Sequence, residues 1–182
     1  MRGAIDGQVR CDRNAESVCR SLQHDGGSRV FCEVPEQGNR NVDVTMTLIE
    51  AENAIIEEFS MYEEWLDKYE YLIELGKSLT DFPEQSKTDD KLIKGCQSRV
   101  WLDHKIEDGK IIFNADSDAI ITKGIISLLI GLYSGRTANE ILSSDFSVVE
   151  KIGLKENLSP TRANGLVSMI AKIREIAKAN IE

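Results

Sequence analysis

The stretch from Ala119 to Tyr133 constrains this chain most. Wound as a helix, it is apolar on nearly every side, with Ile120, Ile121, Ile125, Ile126, Leu128, Leu129, Ile130 and Leu132 leaving no polar face. Such a helix must be buried. At about 22 Å it is too short to span a bilayer, so the rest of the chain has to supply its walls. With 182 residues the chain can hold one domain of roughly 130–150 residues plus an appendage.

The flanking segments read as amphipathic helices. Thr47 and Glu50 form a capping box that opens a stripe of Leu48, Ile49, Glu52, Ile55, Ile56 and Phe59. Ser60 and Glu63 form a second, ahead of Tyr62, Trp65, Leu66, Tyr69, Leu72 and Ile73 on one face. Gly76 is placed to end that helix, and Asp81-Phe82-Pro83 with the polar run Glu84 to Asp90 reads as a surface loop. Beyond the apolar segment, Ser134-Gly135 is a stop and Thr137 with Glu140 boxes a short helix. Ser159-Pro160 then opens a last helix carrying Leu166, Met169, Ile170, Ile173, Ile176 and Ala177.

Between Leu92 and Ala115 the period is that of strands. Leu92-Ile93 is one; Val100, Leu102 and Ile106 alternate with Arg99, Trp101 and Lys105 in the next; Ile111, Phe113 and Ala115 alternate with Ile112 and Asn114 in a third. A type I′ turn at Asp108-Gly109 sets Ile106 against Ile111, Leu102 against Ala115, Trp101 against Asp116 and Arg99 against Asp118. The expected fold class is α+β: a small antiparallel three-stranded sheet covered by helices.

Residues 1–45 differ in usage, with six Arg and no Lys, whereas residues 46–182 carry twelve Lys and four Arg. They are polar and Gly-rich without sustained period, which predicts a poorly ordered N-terminal extension, a working domain over 46–182 and a natural start at Met46. A net charge of -9 repels nucleic acid and anionic lipid, which leaves protein and small-molecule partners. No membrane segment or signal peptide is visible, so a cytoplasmic location is expected. In that compartment Cys11, Cys19, Cys32 and Cys96 read as free thiols or ligands before disulfides.

Cys96 lies in Lys94-Gly95-Cys96-Gln97-Ser98-Arg99, between an apolar pair and a strand, so a turn at the sheet end is expected to expose its thiol. Gly95 can take a positive φ and let another protein's reactive atom approach. Lys94 and Arg99 would favour the nucleophilic thiolate. The plainer reading is a buried structural cysteine. A cysteine hydrolase needs a base, yet His104 is about 26 Å along the strand and His24 falls in the extension. A metal centre needs about four ligands, and residues 46–182 offer one cysteine and one histidine.

Three ordered motifs then coincide: Gly95-Cys96-Gln97-Ser98-Arg99-Val100-Trp101; Asp116-Ser117-Asp118-Ala119 with Lys123-Gly124; and Leu158-Ser159-Pro160-Thr161-Arg162 with Gly165-Leu166. With Tyr69 to Gly76, they resemble the SufE family over about Ile55 to Ile176. The resemblance implies a fold like that of the IscU scaffold and a sulfur acceptor for a SufS-type cysteine desulfurase. Cys96 would hold sulfur as a persulfide and pass it on to a downstream iron-sulfur scaffold for cluster assembly. It also implies no cofactor in this chain, pyridoxal phosphate being the desulfurase's, and it is compatible with a homodimer. The protein would then be a sulfurtransferase-like carrier rather than a stand-alone enzyme, with Gly95, Gln97, Ser98, Arg99, Trp101, Asp116 and Asp118 as candidate binding residues.

Arg162 in the first turn of the last helix opposes the helix dipole, so either a carboxylate partner or a functional task should offset it, and the ion pair is the preferred reading. Arg99 and Asp118 read as an ordinary cross-strand pair. Trp101 either docks a partner from an exposed face or packs under a helix, the latter preferred. Two other functions stay open: a cysteine hydrolase, and a non-catalytic binding module whose Cys96 only packs.

Overall fold

The computed structural model describes residues 46–181. The expectations for residues 1–45, including Cys11, Cys19, Cys32 and His24, lie outside them. In chain order the elements are α1 (Leu48–Ser60), α2 (Trp65–Lys77), a 3-10 turn (Glu84–Ser86), β1 (Val100–Glu107), β2 (Lys110–Ser117), α3 (Ile120–Tyr133), α4 (Ala138–Ser143), α5 (Val148–Lys151), α6 (Leu154–Asn157) and α7 (Pro160–Ala179). No described helix is long and apolar enough to cross a membrane.

The apolar segment is the buried α3, in contact with α1, α2, α7 and β2. Its approach to α2 depends on two glycines. A Cβ on Gly124 would overlap the Leu72 carbonyl oxygen, and one on Gly76 would lie 2.9 Å from the Gly124 nitrogen. Ser127 Oγ donates to the Leu75 carbonyl at 2.7 Å across the same contact. Gly76 is therefore a buried packing residue inside α2 rather than its stop. The capping boxes at Thr47–Glu50 and Thr137–Glu140 form as expected. The one at Ser60–Glu63 does not: α1 runs through Ser60, whose hydroxyl turns back to the Glu57 carbonyl, and α2 starts at Trp65 without a side-chain cap.

β1 and β2 pair antiparallel in the register expected from the Asp-Gly turn. Asp108 (φ 49°) and Gly109 (φ 73°) both take the positive φ that a type I′ turn requires. The sheet has two strands, not three. Leu92 contributes a single bridge to Trp101, through Ile93 N–H to the Val100 carbonyl (2.8 Å) and Leu102 N–H to the Lys91 carbonyl (2.9 Å), before the chain turns away at Lys94. Ile111, Phe113, Ala115 and Ser117 form the buried face of β2, matched on β1 by Val100 and Leu102, while the distal half of β1, from His104 to Glu107, stands in solvent. Ile106, expected on the apolar face, is exposed there.

The glycine contact gives a paired test. Gly124→Ala should lower stability by about 1–3 kcal/mol through overpacking. Gly131→Ala, in the same helix with nothing within 4 Å of the new methyl, should raise it by about 0.5–1 kcal/mol. Urea unfolding of both variants checks this, and a similar sign for the two would contradict it.

Candidate functional site

The bridge at Leu92 makes the site. The Ile93–Val100 hydrogen bond closes the base of a loop over residues 94–99, and Gly95, at φ +93°, turns it so that Cys96 points inward. α7 passes beneath. Gly165, buried in that helix, lies directly under the thiol: a Cβ there would be in ordinary contact with Cys96 Sγ, at 3.5 Å. The thiol donates to the Gly165 carbonyl at 3.6 Å.

Cys96 is therefore half-buried rather than displayed, which corrects the exposed thiol expected of a turn. Burial pushes its pKa up from the ordinary thiol value. The thiolate-favouring role expected of Lys94 and Arg99 is not realised at rest. Lys94 is exposed, and the Arg99 guanidinium lies 5.3 Å from the centre of the Trp101 ring.

A cleft of about 690 Å³ opens beside the thiol, lined by Cys96, Gln97, Ser98, Asp118, Arg162 and Gly165 together with the first turns of α3 and α7. Neither of those turns carries an acidic residue or a side-chain cap. The positive ends of two helix dipoles thus face the cleft. Arg162 adds to them. It is exposed, and the ion pair preferred for it is not seen among the described residues. Thr122 Oγ1 donates to Ser98 Oγ at 3.4 Å, tying the loop to α3.

Behind one wall is a smaller cavity of about 270 Å³, lined by Lys87, Arg99, Trp101, Asp116 and Asp118 among others. Asp118 borders both. Its carboxylate accepts the Arg99 backbone N–H at 2.9 Å, so it braces the loop instead of forming the side-chain pair expected with Arg99. Trp101 is 6% exposed, covered by Arg99 and by Lys87, whose Nζ is 5.5 Å from the ring centre. It presents no free ring.

Asp116 is held between Lys123 (2.7 Å) and Lys87 (3.0 Å). Burial pushes its carboxyl up, but hydrogen bonds from Lys123, Lys87 and the Ser117 backbone outweigh that and leave it below the usual aspartate value. Asp116 and its lysines lock the 3-10 turn and α3 to the end of β2.

Cys96, Gln97, Ser98, Asp118 and Arg162 thus share one cleft. Arg99, Trp101 and Asp116 belong to the neighbouring cavity, and Gly95 shapes the loop. Sequence reasoning assigned no role to Lys87, Lys123, Thr122, Gly165 or Ser168. Gly165 carried a signal, because a glycine within a helical pattern costs about 1 kcal/mol and marks a close approach. Lys123 carried one too, being a cation in a helix's first turn. No histidine lines the cleft among the described residues: His104 is exposed on the outer half of β1. Nor do the described residues contain a cluster of three or more His, Cys, Asp or Glu able to hold a metal ion.

A family model described as "SufE: Fe-S metabolism associated domain" matches residues 53–177, which include the whole cleft. An uncharacterized SufE-like protein of Rhizobium etli is 44% identical over 129 residues, covering 68% of this chain and 87% of that protein. Another, of Rhizobium meliloti, is 42% identical over 132 residues, covering 70% and 94%. The solution structure of a hypothetical protein from Thermus thermophilus shares the fold, with a TM-score of 0.60 and 18% identity over 71% of this chain and 95% of that one.

The raised thiol pKa sets an expected outcome. Iodoacetamide should label Cys96 more slowly at neutral pH in the folded protein than in urea. The rate-against-pH curve of the folded form should have its midpoint at higher pH, since less thiolate is present at any given pH. Coincident curves would contradict the burial described.

Proposed function

The chain belongs to the SufE family, associated with Fe-S metabolism, and on that premise we propose that it accepts sulfur from a SufS-type cysteine desulfurase onto Cys96. One observation carries the reading. A thiol sits on a loop beside a cleft that Arg162 and the first turns of two helices face, with no histidine among the cleft's lining residues. That equips it to receive a sulfur atom from another protein and leaves a hydrolase without its base.

The transfer is an exchange at sulfur. The Cys96 thiolate attacks the terminal sulfur of the donor's persulfide; a new S–S bond forms on Cys96, the donor's S–S bond breaks, and the donor leaves as a thiolate. The proton shed by Cys96 goes to solvent or to the departing thiolate, and no net oxidation or reduction occurs. Removing sulfur from the donor frees it for another turnover. The pyridoxal phosphate that generates the sulfur is the partner's. The loaded Cys96 then passes sulfur to an iron-sulfur scaffold in the cytoplasm.

The residues of the cleft have distinct tasks in this scheme. Because the resting thiol is protonated and turned onto Gly165, docking has to lift the loop. Gln97, Ser98 and Asp118 line the cleft that the partner enters, while Trp101 and Asp116 hold its wall in place with Arg99. Arg162, with no carboxylate partner among the described residues, faces the negative sulfur species as it forms.

Mixing the protein with a desulfurase, cysteine and pyridoxal phosphate should increase sulfide release, and Cys96→Ser should abolish the increase. Unchanged stimulation by that variant would indicate docking without transfer. Arg162→Ala should weaken stimulation by up to about fivefold, in keeping with an exposed charge. The desulfurase should also speed alkylation of Cys96; equal rates with and without it would contradict loop lifting.

A further inference from the structure

Resting on the sulfur-acceptor reading, we propose that Gly165 and Ser168 are positioning residues, forming a seat on α7 that holds Cys96 as a thiol and releases it as a persulfide. Gly95 and Cys96, consecutive in the loop, meet α7 at positions three apart, which lie on one face of a helix. A Cβ on Gly95 would stand 2.6 Å from Ser168 Oγ, and one on Gly165 would stand 3.5 Å from Cys96 Sγ. A methyl at Gly95 would collide with Ser168, whereas one at Gly165 would come into ordinary contact with the sulfur. Ser168 Oγ turns back to the Asn164 carbonyl at 3.1 Å. Among the described residues, the hydrogen bond between loop and seat is the one from Sγ to the Gly165 carbonyl, 3.6 Å.

That bond exists in one chemical state. A thiol has a proton to give; once sulfur is added, Sγ has none. A sulfur bonded at about 2.05 Å along the same line would fall far inside contact distance of the carbonyl oxygen. A persulfide is also more acidic than a thiol, because the second sulfur spreads the charge, and an anion facing a carbonyl oxygen is repelled. The loaded side chain has to leave the seat. Its open side is the cleft between the first turns of α3 and α7. The empty carrier is then hidden and the full one displayed, so the covalent state itself decides when the next acceptor can reach the sulfur.

The test uses the full chain with Cys11, Cys19 and Cys32 replaced by Ser, loaded on Cys96 with inorganic polysulfide and checked by peptide mass. Hydrogen exchange of the Arg99 amide, which the seated loop holds on Asp118 at 2.9 Å, should be about tenfold faster after loading, the scale of one lost hydrogen bond, with the interior of α7 unchanged. Ser168→Leu should unseat the loop beforehand, giving fast exchange that loading does not increase further. Equal protection of the loop in the loaded and unloaded protein would overturn the proposal, and that contrast decides it even if the Leu substitution prevents folding. Failure of polysulfide to load the folded chain would overturn it too, because a seat held by one weak bond must open. Chemical loading separates the two claims. A loop that lifts with polysulfide but never gains sulfur from a desulfurase would sink the acceptor reading alone, and desulfurase loading without movement would sink the seat alone.

Discussion

The contact between Cys96 and Gly165 joins two segments that are 69 residues apart, and the chemistry of the site follows from it. Placing the thiol against a helix without a side chain there desolvates the sulfur, raises its pKa and keeps it protonated. The same helix lends its N-terminal turn to the cleft beside the thiol, where the field favours negative charge. The seat on α7 and the cleft beside it thus offer two different environments to one sulfur atom. The inner suits a neutral thiol and the outer suits an anion.

What makes that arrangement firm is the burial of α3. A helix without a polar face has to be enclosed, and enclosing it sets α2 and β2 around it and α7 against it. Gly124 and Gly76 bring two helix backbones close enough for Ser127 to reach the Leu75 carbonyl. With α3 fixed, its first turn is fixed beside the cleft. Lys123 and Lys87 then hold Asp116, closing the corner from which Asp118 reaches the loop. The framework of the cleft is therefore built on helix and sheet ends, and the Cys96 thiol on a short loop between them.

Local patterns in the sequence transferred well to the structure, and long-range ones did not. The hairpin register was legible because a two-residue Asp-Gly turn leaves the strands one pairing. The caps at Thr47 and Thr137 were legible because a hydrophobic period starts directly after each. The box at Ser60 was misleading, since the same spacing occurs inside a helix that has not yet ended. Leu92-Ile93 looked like a strand, but its chain turns after one bridge. The burial of Cys96 could not be read from its neighbours, and Trp101 is covered as preferred but by two cations instead of a helix. The first depends on Gly165, and the second on Lys87 and Arg99 folding over the ring. The ion pair expected at Arg162 is not seen among the described residues, which is in keeping with its alternative, a task outside the chain.

In the proposed reaction Cys96 receives a sulfur atom from another protein's persulfide. Intact mass followed by peptide mapping, after incubation with a desulfurase and cysteine, addresses it most directly. The account predicts a gain of one sulfur atom on the peptide containing Cys96, removable by a thiol reductant. A desulfurase that turns over while that peptide keeps its original mass would contradict it.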